Sequence, residues 1–244
     1  MADELLENPH ALVENVARVL GGQPAAESEL AGYVNSDFDP FLNQLFAAGK
    51  LTRSEAAEAL QGRPGFVWLA GPAADDDATA MQGMTADLRE TVPRPSLTAD
   101  VAEVRSRDDL DAWHAVYSEV FGADPRSRDD WRRVHEALGP TGDGSLLLLL
   151  ARVHGSPAAT GSVFFAQGVA GLYCFTTREE LRGRGLASAV VHAAHDAARA
   201  NGVARAVLQA TPSGAPVYAR AGYESERPLP LLAFRRTPDQ SWRG

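Results

Sequence analysis

The chain has 244 residues, 45% hydrophobic and 23% charged, with a formal net charge of −9 at pH 7. This balance permits one large globular domain or two small ones, and it excludes general nucleic-acid binding, which needs clustered Lys and Arg to displace counterions from phosphates. The single cysteine, Cys174, excludes an internal disulfide and any cysteine-cluster metal site.

No apolar run approaches the roughly 20 residues that cross a bilayer, the longest being Leu146 to Ala151. The start MADELLENPH is acidic where a secretion signal would be basic. A cytoplasmic protein with no membrane partner is expected. Lys50 is the one lysine, and the many arginines and alanines have the bias of a GC-rich bacterial genome.

In chain order, Asp3 to Leu20 reads as a helix with Leu5, Leu12, Val16 and Val19 near one face. NSDFDPFLNQLF is irregular and rich in turn formers, and Gly65 to Gly71 (GFVWLAG) reads as a short buried strand. The acidic run Asp75 to Asp77 precedes an alanine-containing segment and is expected to start a helix, where the dipole favours negative charge. TVPRPSLTAD, Thr91 to Asp100, has two prolines and no apolar period, so it reads as a linker dividing residues 1–95 from 96–244.

After the linker, VAEVRS alternates like a strand, and Leu110, Trp113, Tyr117 and Val120 recur at helical spacing. A second amphipathic helix covers Trp131 to Leu138. SLLLLLARV and ATGSVFFAQ read as a hairpin across HGSP, with AGLYCFTT as a third strand. Next come a glycine-arginine turn, a helix to about Asn201, the strand ARAVLQA, a short helix ending at RAGY, and the apolar strand LPLLAF, which could pair with another chain if its edge were exposed.

The turn is the informative element. In TTREELRGRGLAS a strand runs into glycines and then a helix, which leaves backbone N–H groups unpaired at the positive end of the helix dipole. Such a place binds phosphate, and arginines add charge-assisted hydrogen bonds to its oxygens. Arg182, Gly183, Arg184, Gly185, Leu186, Ala187 and Ser188 therefore read as a pyrophosphate cradle. The competing reading is a tight helix start that binds nothing. A P-loop is excluded because no Gly-Lys-Ser/Thr follows, and the dinucleotide fingerprint fails because its third glycine is missing, Ser188 standing in that place.

RGRGLA resembles the Arg/Gln-x-x-Gly-x-Gly/Ala signature of the GNAT superfamily of acyl-CoA-dependent N-acyltransferases, with Arg182, Gly185 and Ala187 in the signature places. TPSGAPVYARAGYE resembles the second signature through Thr211, Gly214, Val217, Tyr218, Gly222 and Tyr223. It departs from the family in having Thr211 where an asparagine is common and Gly214 where an alanine is usual. The resemblance spans residues 101–236 and implies an α/β (α+β) fold, a mixed and mostly antiparallel sheet flanked by helices, with acetyl-CoA (coenzyme A) as co-substrate and no metal. The first 95 residues are similar to the degenerate N-terminal half of two-lobed bacterial GNAT proteins, a smaller lobe that walls the acceptor site.

By the same resemblance, Tyr173 to Thr177, with Cys174, Phe175, Thr176 and Thr177 foremost, would hold the pantetheine arm beside Thr211 on a splayed strand. A backbone N–H near Cys174 or Phe175 would stabilise the thioester carbonyl, and Tyr218 would protonate the coenzyme A sulfur. Tyr218 could instead be a tyrosine that packs the small helix. Cys174 reads as a small buried hydrophobe rather than a nucleophile. His192 and His195 read as solvated helix positions rather than metal ligands, and Glu179 and Glu180 as charge complements to the helix end. Asp37, Phe38, Asp39 and Asn43 are the expected acceptor contacts, with Asp37 as partner of a cationic amine; the alternative is an Asx turn before Pro40.

The function expected is an N-acetyltransferase acting on a small-molecule amine by direct attack in a ternary complex: an amino acid, an aminated metabolite or an antibiotic. Alternatives are a coenzyme A-binding regulatory or interaction module without turnover, and an enzyme that acetylates protein amines. A monomer or homodimer is expected.

Overall fold

A computed structural model describes residues 4–25, 30–71, 78–90, 92–94 and 99–234. The N-terminal half contributes α1 (Glu4–Leu20), β1 (Gln23–Pro24), β2 (Leu30–Val34), β3 (Gln44–Ala47), α2 (Arg53–Ala59), β4 (Gly65–Leu69) and β5 (Thr79–Asp87). After the linker come β6 (Asp100–Glu103), α3 (Arg107–Phe121), α4 (Arg128–Leu138), β7 (Leu146–Val153), β8 (Ser156–Ala166) and β9 (Val169–Thr177). The chain then adds α5 (Leu186–Ala200), β10 (Arg205–Ala210), α6 (Ala215–Arg220) and β11 (Glu224–Phe234). From β6 onward the order of helices and strands is the one the sequence indicates.

All strands join one 11-stranded sheet in the order β1-β2-β3-β4-β11-β5-β10-β9-β8-β7-β6. The β3/β4 and β9/β10 neighbours are parallel and the others antiparallel. The fold is thus the expected mixed, mostly antiparallel sheet flanked by helices. The division near residue 95 follows the chain but not the sheet, because β5 lies between β10 and β11 while β11 lies between β4 and β5. Each half places its last strand inside the other.

Several expectations need correction. The alanine-containing segment after the acidic run is β5, not a helix, since it has a strand partner on each side; Asp75 to Asp77 lie outside the described residues. Gly83 lets β5 sit there, because a Cβ would come within 2.7 Å of Leu5 Cδ1 and 3.2 Å of the Arg227 carbonyl oxygen. The turn-rich segment holds a 3-10 turn (Pro40–Leu42) and the buried strand β3. LPLLAF belongs to β11 and is no free edge, for Leu231–Phe234 pair with β4. The section of β11 that carries Pro228 and Pro230 pairs only with β5, so the missing N–H groups interrupt no second ladder there.

One face of the sheet carries α5 over a core of Val190, Val191, Ala194 and Ala198 against Leu172, Ala206 and Leu208. The opposite face carries α3 and α4, whose Trp113, Tyr117 and Trp131 are buried with Leu148 and Phe164. Side chains of this size each contribute roughly 1.5–3 kcal/mol on burial. Helix α1 crosses this second face, packing on β8, β9, β10 and α4. Its Pro9 is buried within the helix, and Asn8 donates from Nδ2 to the Val169 carbonyl at 3.3 Å while its Oδ1 accepts from the Tyr173 hydroxyl at 2.6 Å.

Candidate functional site

The site is built by two strands that part. β9 and β10 pair through Arg205↔Val169, Ala206↔Ala170 and Val207↔Gly171, yet β9 continues to Thr177 and β10 to Ala210 without further pairing. Their C-terminal ends therefore part, and the gap in the ladder between them is the candidate cleft. A β-bulge adds to this opening, for the β8/β9 register shifts between Thr160↔Thr176 and Ser162↔Tyr173. At the bulge Cys174 takes φ +56, a left-handed conformation uncommon for a side-chain-bearing residue and typical of functional strain. β8 holds it in place: Thr160 Oγ1 donates to the Cys174 carbonyl at 2.9 Å and Ser162 Oγ to the Tyr173 carbonyl at 3.0 Å.

Beyond the cleft the chain makes the 3-10 turn Glu179–Leu181 and enters α5. Gly183 (φ +73) and Gly185 (φ +81) are left-handed, a conformation that glycine adopts at little cost. Gly185 is the N-cap of α5 and supplies no side-chain acceptor, so the first-turn N–H groups face outward without a cap. Arg182 Nε donates to the Thr177 carbonyl and an Arg184 Nη to that of Glu180, each at 3.3 Å, which folds both arginines along the cradle. The Oγ1 atoms of Thr176 and Thr177 and the Nε of Arg178 are buried without a hydrogen-bond partner. Buried polar atoms normally have partners, so these at the cleft are suited to a polar ligand. The structure thus brings together the predicted residues from Cys174 to Ser188, with Leu186 anchored in the core.

Arg178 is the residue sequence reasoning passed over. An Nη of it pairs with Glu119 on α3 at 3.3 Å, joining the cradle to the opposite face of the sheet. Its place between the strand and RGRG was the available signal.

Tyr218 projects from α6 towards β9, its ring 6.2 Å from that of Phe175 in an edge contact. Burial pushes its hydroxyl upward in pKa, which keeps it protonated. Thr211 forms the turn that leads into α6: its Oγ1 accepts from the Gly214 N–H at 3.0 Å and lies 3.0 Å from Ser213 Oγ. Cys174 is 3% exposed, and burial, with Asp39 nearby, raises its thiol pKa, which argues against a nucleophilic thiolate. Glu179 and Glu180 are exposed.

The acceptor residues separate into two pairs. Asp37 is exposed and paired with Arg63 at 2.6 Å, and Phe38 lies under the Arg126 guanidinium, 4.4 Å from its ring centre. Asp39 and Asn43 are 0% exposed and line no open cleft. Asn43 spends its amide inside the protein, accepting from the N–H groups of Asn35 and Ser36 and donating to the carbonyls of Ser36 and Pro64. Asp39 accepts from Tyr117 Oη, Trp131 Nε1 and the Phe41 N–H, each at 2.8 Å. Desolvation raises its pKa and these hydrogen bonds oppose the shift. It clasps the loop of the N-terminal half onto α3 and α4, as does Ser36 Oγ, which donates to Asp130 Oδ2 at 2.6 Å.

The histidines also need correction. His192 (7%) and His195 (2%) are buried rather than solvated. No group of metal-ligating side chains occurs among the described residues.

Residues 108–223 match the model of the acetyltransferase (GNAT) family. This match identifies residues 108–223 as a GNAT acetyltransferase domain. A GCN5-related N-acetyltransferase from Kribbella flavida is similar in structure at a TM-score of 0.65 and 18% identity, covering 96% of both chains. A conserved protein of unknown function from Staphylococcus epidermidis follows at 0.60 and 14%, covering 88% of this chain and 94% of its own. A GCN5-related N-acetyltransferase from Sphaerobacter thermophilus gives 0.58 and 18%, over 79% of this chain and 73% of its own. At these identities the likeness is one of fold, here extending over both halves of the chain. None of the curated proteins matches its sequence. Among the described residues no helix is long and apolar enough to cross a membrane.

Proposed function

We propose that the protein transfers an acetyl group from acetyl-CoA to the amine of a small molecule. The observation that carries this reading is the parting of β9 and β10 directly before an α5 N-terminus whose cap is a left-handed glycine. Acetyl-CoA supplies the activated thioester. The uncapped N–H groups of Leu186 to Ser188, with Arg182 and Arg184, hold its pyrophosphate, and the helix dipole adds to that attraction. Thr176 and Thr177 offer their unpartnered hydroxyls to the pantetheine arm. A main-chain N–H at the Cys174–Phe175 bulge polarises the carbonyl, and Tyr218 gives its proton to the departing sulfur.

The N-terminal half, residues 1–95, acts as the wall of the acceptor site, with α1 across the second face of the sheet and the Asp39 loop fastened to α3 and α4. Of the four loop residues expected to touch the acceptor, Asp37 and Phe38 reach solvent, and they are the acceptor contacts this arrangement supports. Asp37 can receive a cationic amine only by giving up or sharing Arg63.

The test is thiol release from acetyl-CoA across a panel of small amines, with Tyr218→Phe as comparison. Turnover that falls about 100-fold in the variant while acetyl-CoA binds as before supports the general acid. Binding without thiol release from any amine, peptide amines included, would favour the regulatory module instead.

A further inference from the structure

Behind Tyr218 lies a buried polar chain that the proposed chemistry does not use. The Tyr223 ring stands edge-on to that of Tyr218 with centroids 5.8 Å apart. Tyr223 is 4% exposed and its hydroxyl is hydrogen-bonded to His195 Nε2 at 3.1 Å. The His195 ring is 5.5 Å from that of Tyr223 and 5.9 Å from that of His192, one helical turn earlier on α5. Helix α5 and Tyr223, which stands between α6 and β11, thus meet through a side-chain hydrogen bond in addition to ring and core packing.

The surroundings of this contact are tightly specified. The linker lies across it: a Cβ on Gly222 (φ +90) would come within 2.7 Å of Val92 Cγ2. Arg94 pairs with Asp196 at 2.5 Å, and Arg199 donates to the carbonyls of Leu88 and Glu90. These groups seal the histidines from water, and burial holds His195 neutral, with a pKa lowered to about 4. A neutral imidazole at fixed tautomer can hold the Tyr223 hydroxyl without becoming charged at neutral pH.

We infer that His195 is a positioning residue for the acyl transfer, fixing Tyr223 so that its ring sets the rotamer of Tyr218 and aims the Tyr218 hydroxyl into the cleft. This rests on the reading of Tyr218 as general acid. The geometry gives the reason: α6 runs only from Ala215 to Arg220, and the Tyr218 ring is held by edge contacts with Phe175 and Tyr223. A short helix leaves the direction of its tyrosine to its neighbours, and the loss of near-attack alignment by about 1 Å can cost on the order of 100-fold in rate. Tyr223 sits just beyond the αL turn at Gly222, so without its hydrogen bond the ring is held by packing alone.

The experiment uses the full chain and follows thiol release from acetyl-CoA with hydroxylamine, a small nucleophile that makes little demand on an acceptor pocket. Tyr223→Phe and His195→Leu are expected to lower kcat about tenfold while the KM for acetyl-CoA stays within twofold. His195→Gln, whose amide reaches close to the position of Nε2, should recover most of the rate. In a Tyr218→Phe background the Tyr223→Phe change should have no further effect, because its influence passes through Tyr218. Wild-type kcat in Tyr223→Phe, or an undiminished tenfold loss in the Tyr218→Phe background, would overturn the inference and leave the general acid intact. Should Tyr218→Phe itself be as fast as wild type, or should wild type release no thiol above background, the general-acid reading falls and this inference with it. Tyr223→Phe removes one oxygen from a buried ring, so the test stands even if His195→Leu fails to fold.

Discussion

The β3-α2-β4 unit and the β9-α5-β10 unit have the same topology, a strand, a helix and a parallel neighbouring strand, and differ in what happens at the helix N-terminus. β3 and β4 stay paired from Gln44↔Phe66 to Ala47↔Leu69, and the Ala70 N–H still reaches the Ala47 carbonyl. Above them Thr52 and Glu55 form a capping box on α2, so a carboxylate and a hydroxyl already occupy the place an anion would take. β9 and β10 keep only three pairs before they part, and α5 begins at a glycine with no side-chain cap. One fold element is thus closed by its own sequence and the other left open for a ligand. On the proposed reading, cofactor capacity resides in the cap and the splay, and the topology alone does not confer it.

The exchange of β5 and β11 ties these two units into one sheet, and cutting it is the harshest way to break the comparison. Residues 96–244 produced alone lack Met84, Ala86 and Leu88 from the α5-side core and expose the flanks of β10 and β11. The expected result is a fragment with no cooperative thermal transition by circular dichroism, which regains one on co-expression with residues 1–95. A fragment as stable as the full chain would mean that the exchanged strand is dispensable.

Gly185→Glu puts a side chain and a negative charge at the open N-cap. It should weaken acetyl-CoA at least 100-fold, read by calorimetry, with the fold kept. Asp39→Ala leaves Tyr117 Oη and Trp131 Nε1 without their buried acceptor and should cost about 2–4 kcal/mol in urea unfolding. A change below about 0.5 kcal/mol would show that the clasp between the halves contributes little.

Burial also makes a pH prediction. His195 and His114 both have folded pKa values lowered to about 4 from 6.5. Below 6.5 the unfolded chain binds the protons that the folded chain refuses, so stability falls as pH drops from 6.5 towards 4, by on the order of 1–3 kcal/mol per histidine. Denaturant midpoints over that range should show the slope, and His195→Leu should flatten it. The smallest effect is at the closed unit: Thr52→Ala should cost about 1 kcal/mol of stability and leave acetyl-CoA affinity unchanged.

How local the cause of each feature is decides how far it was legible in the sequence. The glycine-arginine turn into α5 was readable because its causes are local: glycine at left-handed positions and a helix directly after. Strands from β6 onward were readable because alternation and turn residues lie next to one another; the His154–Gly155 turn of the β7/β8 hairpin has two positive φ values. The β5 insertion was not, since its partners are about 120 residues or more away along the chain and its alanines suit a helix equally well. Asp39 and Asn43 read as turn residues, which Asp39 also is, but that both are wholly buried is decided by tertiary contacts. His192 and His195 were misread because α5 buries two faces, alanine and valine against the sheet and histidine against Tyr223 and the linker. The bulge at Cys174 had no sequence signal, since a non-glycine residue with positive φ is held there by Thr160 and Ser162 from the neighbouring strand.

Whether α5 holds the cofactor at its open N-terminus is decided by calorimetric titration of the full chain with acetyl-CoA, run in parallel on Gly185→Glu and Thr52→Ala. The expected result is one site per chain with micromolar affinity, about −8 kcal/mol, abolished by the first substitution and untouched by the second. Two sites per chain, binding that survives Gly185→Glu, or no binding by the wild-type chain would contradict it.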